Sequence, residues 1–322
     1  MISFIRYSSQ HSSLRSSLRS SLRSSLRSLS RSPLPSLRGV GGRFASLLGV
    51  VALLLVGGCA TVTSSLTSKL AGDLASSIMN SSDVETIREG VPAYLIMIDS
   101  FLRSSPDDEK LLLAASALNG AFSVFTQDAR TKLLTQKSLD YALHAACVND
   151  ADLCGLRRLE FKVFQQRVDA VQREQVPVMY ATAVAWTGWM QAHSDDWNAI
   201  AELSKVKYLM NKVMSLDETW ELGGPHLYMG GLETILPASM GGQPEVGRKH
   251  FERAIEIAAG QYLMTKVIFA EQYAKLTFDK DLYDQLLTEV LAANPVVEGI
   301  TLTNVLAQQR AQVLLAESDD YF

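Results

Sequence analysis

The sequence predicts an all-α protein of antiparallel helical hairpins stacked as a solenoid. Three observations carry this. Apolar residues recur at spacings of three and four, and no stretch alternates in the manner of a strand. The gaps between these periodic runs are short, which favours antiparallel neighbours. Similar helical segments return about one hairpin apart, with Ala254 and Val290 36 residues apart in matching positions.

The elements follow in order. Val91, Tyr94, Leu95, Ile98 and Leu102 form one stripe, and Leu112, Ala115, Leu118, Ala121 and Phe122 the next. Between them, Ser104-Ser105-Pro106-Asp107-Asp108-Glu109 reads as a helix stop, a new cap, a proline in the first turn and acids that complement the dipole. Asn119-Gly120, elsewhere a turn signal, lies inside an Ala/Leu-rich helical run. Helices are predicted over 70–79, 84–103, 107–125, 131–147, 152–173, 176–192, 196–214, 225–236, 244–258, 261–276, 280–292 and 300–316.

The run Gly242-Gln243-Pro244-Glu245-Val246-Gly247-Arg248-Lys249-His250-Phe251-Glu252-Arg253-Ala254-Ile255-Glu256-Ile257 resembles the second helix of a tetratricopeptide repeat. Lys280–Asn294, with Tyr283, Leu287, Val290 and Leu291 before Pro295, is similar, and Tyr208–Leu216 is a weaker copy. A tetratricopeptide-like solenoid follows, because each hairpin leaves an apolar face that only its neighbour covers.

Residues 1–58 stand apart. Ser-Ser-Leu-Arg recurs at Ser12–Arg15, Ser16–Arg19, Ser20–Arg23 and Ser24–Arg27, a low-complexity tract without acids. After Arg43 comes an apolar run from Phe44 to Val56, the length of a signal-peptide h-region and short for a bilayer span. Gly57-Gly58-Cys59 then resembles the lipobox of bacterial lipoproteins. That resemblance implies cleavage before Cys59 and lipidation of it, several acyl chains giving stable anchoring. The expected organisation is a presequence and signal peptide over 1–58, a lipidated tether over 59–68 and a helical domain over 69–322.

Residues 1–58 hold eight of the 30 basic residues and no acid, so residues 59–322 carry 22 basic against 34 acidic side chains, a net charge of −12. Nucleic acid is a poor partner for such a chain. With Cys59 assigned to lipid, Cys147 and Cys154 remain as an even pair, candidates for a disulfide in an oxidising compartment or for free thiols. Their spacing does not suit zinc, and no histidine pair lies nearby.

No catalytic motif is present: no phosphate-binding glycine loop, no Gly-x-Ser-x-Gly, no His-Glu-x-x-His. A protein without enzymatic activity, metal or cofactor is expected. The unusual feature is an aromatic concentration from Tyr180 to Tyr228 that contains all four tryptophans, Trp186, Trp189, Trp197 and Trp220. Beside it, glycines at 230 and 231 cost a helix about 1 kcal/mol each relative to alanine. Close packing or an open channel would explain them. Trp186, Trp189, Trp220, His226 and Tyr228 are therefore candidates to line an apolar pocket with polar tips, with core filling as the alternative.

From about Val176 the chain resembles the T component of TRAP transporters. The resemblance is carried by Trp186-Thr187-Gly188-Trp189, Gly224-Pro225-His226-Leu227-Tyr228-Met229-Gly230, Leu236-Pro237-Ala238-Ser239-Met240-Gly241-Gly242, Phe251–Ile255, Asn304–Ala311 and the ending Asp319-Asp320-Tyr321-Phe322. It implies a periplasmic lipoprotein that works with a substrate-binding protein feeding small organic solutes to an ion-coupled permease. A homo-oligomer such as a trimer, with a channel through each subunit, belongs to the same expectation. Ala60 after the lipobox cysteine points to the outer membrane by the sorting rule of such lipoproteins. The competing expectation is a helical-repeat scaffold for envelope assembly that binds no ligand.

Overall fold

A computed structural model describes residues 75–322. The presequence, Cys59, the tether and the start of the helix predicted over 70–79 lie outside the described residues. Every regular element among those described is helical, and no helix among them is long and apolar enough to cross a membrane.

Helix α1, Val84–Ser104, opens at Asp83, whose side chain accepts from the Thr86 N–H at 3.0 Å. It buries Val91, Leu95, Ile98 and Leu102, the predicted stripe, while Tyr94 stays half-buried. Helix α2, Glu109–Ser123, is capped by Asp108. Pro106 falls in the turn before that cap rather than in the first helical turn. Helix α3, Asp128–Asn149, presents Ala142, Ala145 and Ala146, so neighbours approach closely. Against α2, the Ser138 hydroxyl donates to the Ser116 carbonyl at 2.8 Å.

The single helix predicted over 152–173 is instead two short turns, Ala151–Leu153 and Leu156–Arg158, followed by α4, Phe161–Ala170. Gly155, with φ 67°, takes the left-handed conformation that separates the turns, and Cys147 and Cys154 are joined in a disulfide across the first of them. Helix α5, Val176–Ala192, begins with Pro177 in its first turn. The helix predicted over 196–214 divides at Glu202 into α6, Trp197–Ala201, and α7, Leu203–Leu216. Asp196 caps α6.

Helix α8, Trp220–Thr234, starts earlier than predicted and contains three left-handed residues, Glu221, Leu222 and Gly223. Helix α9, Pro244–Ile257, packs on it through glycines. A Cβ on Gly230 would sit 2.7 Å from the Phe251 ring, and one on Gly247 would sit 2.9 Å from the Gly230 carbonyl oxygen. The cost of Gly230 is thus offset by close packing. Helix α10, Met264–Phe269, runs through a π turn, Ala270–Ala274, into α11, Lys275–Thr277. Helices α12, Lys280–Ala292, α13, Thr301–Ala316, and α14, Ser318–Tyr321, complete the chain.

Helices pack on near neighbours in sequence: α2 on α3, α3 on α5, α5 on α7, α7 on α8, α8 on α9, and α12 on α13. The apolar interior is accordingly divided into three clusters. The first holds Val91, Leu95, Phe122 and Leu134. The middle one runs from Ile98 to Leu232 around Trp186, and the third from Leu227 to Leu314 around Phe251 and Tyr283. The order of neighbours then returns to its beginning. Helix α13 touches α1, and the Gly299 N–H donates to Asn80 Oδ1 at 2.7 Å.

Candidate functional site

The aromatic concentration separates into a packed half and an open half. In the packed half, Trp186 on α5 is fully buried, and its Nε1–H donates to Glu202 Oε2 at 2.5 Å. Arg157 grips the same carboxylate with two bonds, 2.8 and 2.9 Å. This shared carboxylate stands at the break between α6 and α7. The Arg157 guanidinium also lies 3.8 Å over the Trp189 ring. Trp189 donates to Gln136 Oε1 at 2.7 Å and stacks on His193 with centroids 4.6 Å apart. Both indoles have their polar handles filled from within the protein. Trp220 is half-buried against the middle core, and Trp197 is largely exposed.

His226 lies one turn into the regular part of α8. Its Nε2 meets Glu218 Oε2 at 3.0 Å, and its Nδ1 meets His250 Nδ1 at 2.9 Å, so one imidazole of the pair donates and the other accepts. Arg253 clamps Glu218 at 2.6 Å. The Arg253 and His226 hydrogen bonds hold the Glu218 carboxyl down at about 2. Burial, then the charges of His226 and Lys207, push His250 down to about 4. His226 forms part of the wall of an open groove of about 580 Å³, with Arg173, Asn211, Asp217, Glu218 and Thr219.

The open half is centred on Tyr228. Its ring meets Tyr180 of α5 edge to face, with centroids 6.0 Å apart and planes at 82°. Burial pushes the Tyr262 phenol up to about 12, with the Glu221 carboxylate adding to the shift. Tyr228 and Tyr180 are raised further by burial, by neighbouring phenols and by Glu221. The three tyrosines therefore share one poorly solvated neighbourhood. Their hydroxyls have no hydrogen-bond partner among the described residues, yet they are not sealed: Asn119 Oδ1 is the sole buried side-chain polar atom left without a partner there. All three rings are half-buried. Partial exposure and unpaired hydroxyls together mark these rings as the face of the cluster that remains accessible.

Local sequence builds this face. A Cβ on Gly224 would lie 2.1 Å from the Tyr180 hydroxyl, so only glycine lets that phenol past α8. Glu221 and Leu222, with φ 48° and 57°, occupy left-handed backbone that costs side-chain-bearing residues on the order of 1–2 kcal/mol each. Gly223 follows at φ 82°, wedged against Ala254 and Ile257 of α9. Tyr262 is fixed from both sides by the fully buried Asn304. Asn304 accepts from the Leu263 N–H at 3.0 Å and donates to the Gln261 carbonyl at 2.9 Å.

Of the candidates chosen from sequence, the structure puts Trp186 and Trp189 in the packed half, His226 on the outer groove and Tyr228 against Tyr180. Sequence reasoning did not single out Tyr180 and Tyr262. The Gly223-Gly224 pair was the available signal, since adjacent glycines mark a close approach.

No curated protein matches the sequence. A family model described as the TRAP transporter T-component matches residues 80–322. The chain belongs to that family. The match reaches well beyond the stretch from Val176 onward and takes in α1 to α4 and the Cys147–Cys154 loop. Membership makes this T component an accessory part of a TRAP transporter, at the cell envelope.

Proposed function

We propose that this T component binds or channels a small, partly apolar organic solute in the recess walled by Tyr180, Tyr228 and Tyr262. The observation that carries the reading is the set of three deep phenols whose hydroxyls lack partners and remain accessible. Wide apolar rings with free polar tips suit such a ligand. The helical hairpins stack as a tetratricopeptide-like solenoid, a form supported by the neighbour-on-neighbour packing and the three separate core clusters. The protein is a periplasmic lipoprotein held at Cys59, in the outer membrane, and it docks a periplasmic substrate-binding protein that delivers or receives the solute. It works without catalysis or a cofactor, and as a homo-oligomer such as a trimer.

Thiol labelling tests the recess. With Tyr228→Cys, methyl methanethiosulfonate should modify the new thiol in the folded protein, while a polymer-linked maleimide too large for the recess should not. Protection from both reagents would mean that Tyr228 is core and would defeat the reading.

A further inference from the structure

Two open grooves follow one another along the outer side of α7. The first, of about 470 Å³, is lined by Ile200, Leu203, Ser204, Lys207, Tyr208 and Asn211. The second is the groove of about 580 Å³ that His226 helps to wall, and it shares Asn211 with the first. Over its 14 residues α7 spans about 20 Å, the reach of about six residues of extended chain. Aromatic groups that the core does not absorb flank the first groove. Trp197 is 74 % exposed and stands one turn before Ile200 and Ala201, on their side of α6. Phe161, also exposed, meets the Tyr208 ring edge to face with centroids 6.1 Å apart. Tryptophan and tyrosine beside an apolar groove are the side chains that most often anchor protein contacts.

Charge on this side runs against that of the chain. Residues 59–322 carry a net charge of −12, yet α7 holds Lys205, Lys207 and Lys212 and no acid. Lys207 pairs with Glu233 at 2.6 Å. Lys205 donates to the Arg157 and Leu159 carbonyls and Lys212 to the Asp169 carbonyl, so neither is matched by a carboxylate among the described residues. The stretch that Lys205 holds adds exposed Arg158 and Lys162 against Glu160. The Asp169 carboxylate already accepts from the Tyr208 hydroxyl at 2.6 Å, and Asp196 is engaged in capping α6. In the second groove Arg173 pairs with Asp217, and Glu218 with Arg253.

We propose that these grooves form a docking surface for a protein partner that lays an extended acidic segment with apolar side chains along α7. The apolar side chains enter beside Ile200, Leu203 and Tyr208, and the carboxylates meet the lysines. Charge complementarity of this kind fixes register and speeds encounter. The proposal deepens the docking part of the proposed function and rests on it. The probes below leave the partner's identity aside, so their failure moves the docking surface elsewhere without removing the docking itself.

Fluorescence anisotropy of three labelled hexapeptides titrated with the full-length protein decides it. Each alternates leucine and phenylalanine with one polar residue, which is glutamate, glutamine or lysine. The glutamate peptide should bind tightest, and added salt should weaken it. Asn211 is exposed, lines both grooves and makes no hydrogen bond among the described residues, so its replacement spares the fold. Asn211→Glu should weaken the glutamate peptide severalfold, and Asn211→Lys should strengthen it. Equal or tighter binding of the glutamine or lysine peptide would overturn the assignment. So would an unchanged affinity in Asn211→Glu, or no binding of any peptide.

Discussion

Trp186 and Tyr228 are both aromatic and stand in one stretch of sequence, yet they do different work. The Trp186 indole spends its N–H on Glu202 and is sealed, whereas the Tyr228 hydroxyl is left free. Truncating Trp186 to alanine should therefore cost about 3–5 kcal/mol in urea unfolding. A cost under about 1 kcal/mol, coupled to lost solute binding, would return Trp186 to the lining. His250 makes a second prediction at this scale. Its folded pKa of about 4 lies below the ordinary 6.5, so the neutral ring contributes stability that is complete above pH 6.5 and lost as pH falls through 4. His250 meets His226, which meets Glu218, which Arg253 clamps, while the separate Lys207–Glu233 ion pair acts on His250 through the Lys207 charge. The depressed Glu218 acts in the same direction further into acid, from 4.5 down to about 2. Thermal melts between pH 7 and 4 should show a falling Tm, and His250→Gln should flatten that fall.

Among the elements, those whose order is written locally were legible in the sequence. Stripes at three and four spacing mark α1, α2 and α12 within a few residues, the cap expected before α2 is Asp108, and Asp83 and Asp279 likewise accept backbone N–H groups. The failures share a physical cause. The break at Glu202 is set by Arg157 and Trp186, which are distant in sequence. The left-handed pair Glu221-Leu222 carries no local signature, because neither residue favours that backbone. The turns over 151–158 depend on the Cys147–Cys154 linkage and on Gly155. Of the site, Tyr228 and the glycines were readable, but Tyr180 and Tyr262 come together only when α5, α8 and the start of α10 are packed. Asn304 should be the residue most responsible for that last placement. Its alanine variant leaves a buried N–H and carbonyls unpaired, and should cost about 1–3 kcal/mol and loosen Tyr262, seen as faster amide exchange at Leu263.

At the scale of the whole molecule, helical neighbours that return from α13 to α1 divide the apolar interior of the described residues into three clusters rather than one. Family membership over residues 80–322 joins that architecture to a TRAP transporter. Anchoring belongs here too: Cys59→Ser should move the protein from the membrane fraction to the soluble one and abolish palmitate labelling, and retained label would refute lipidation at that residue. The most direct test of the central claim is affinity capture of the protein after crosslinking in intact cells, with mass spectrometry of what comes with it. The account predicts a periplasmic substrate-binding protein or a TRAP permease. Recovery of outer-membrane assembly or cell-wall proteins alone would contradict it, and would make the helical scaffold the better description.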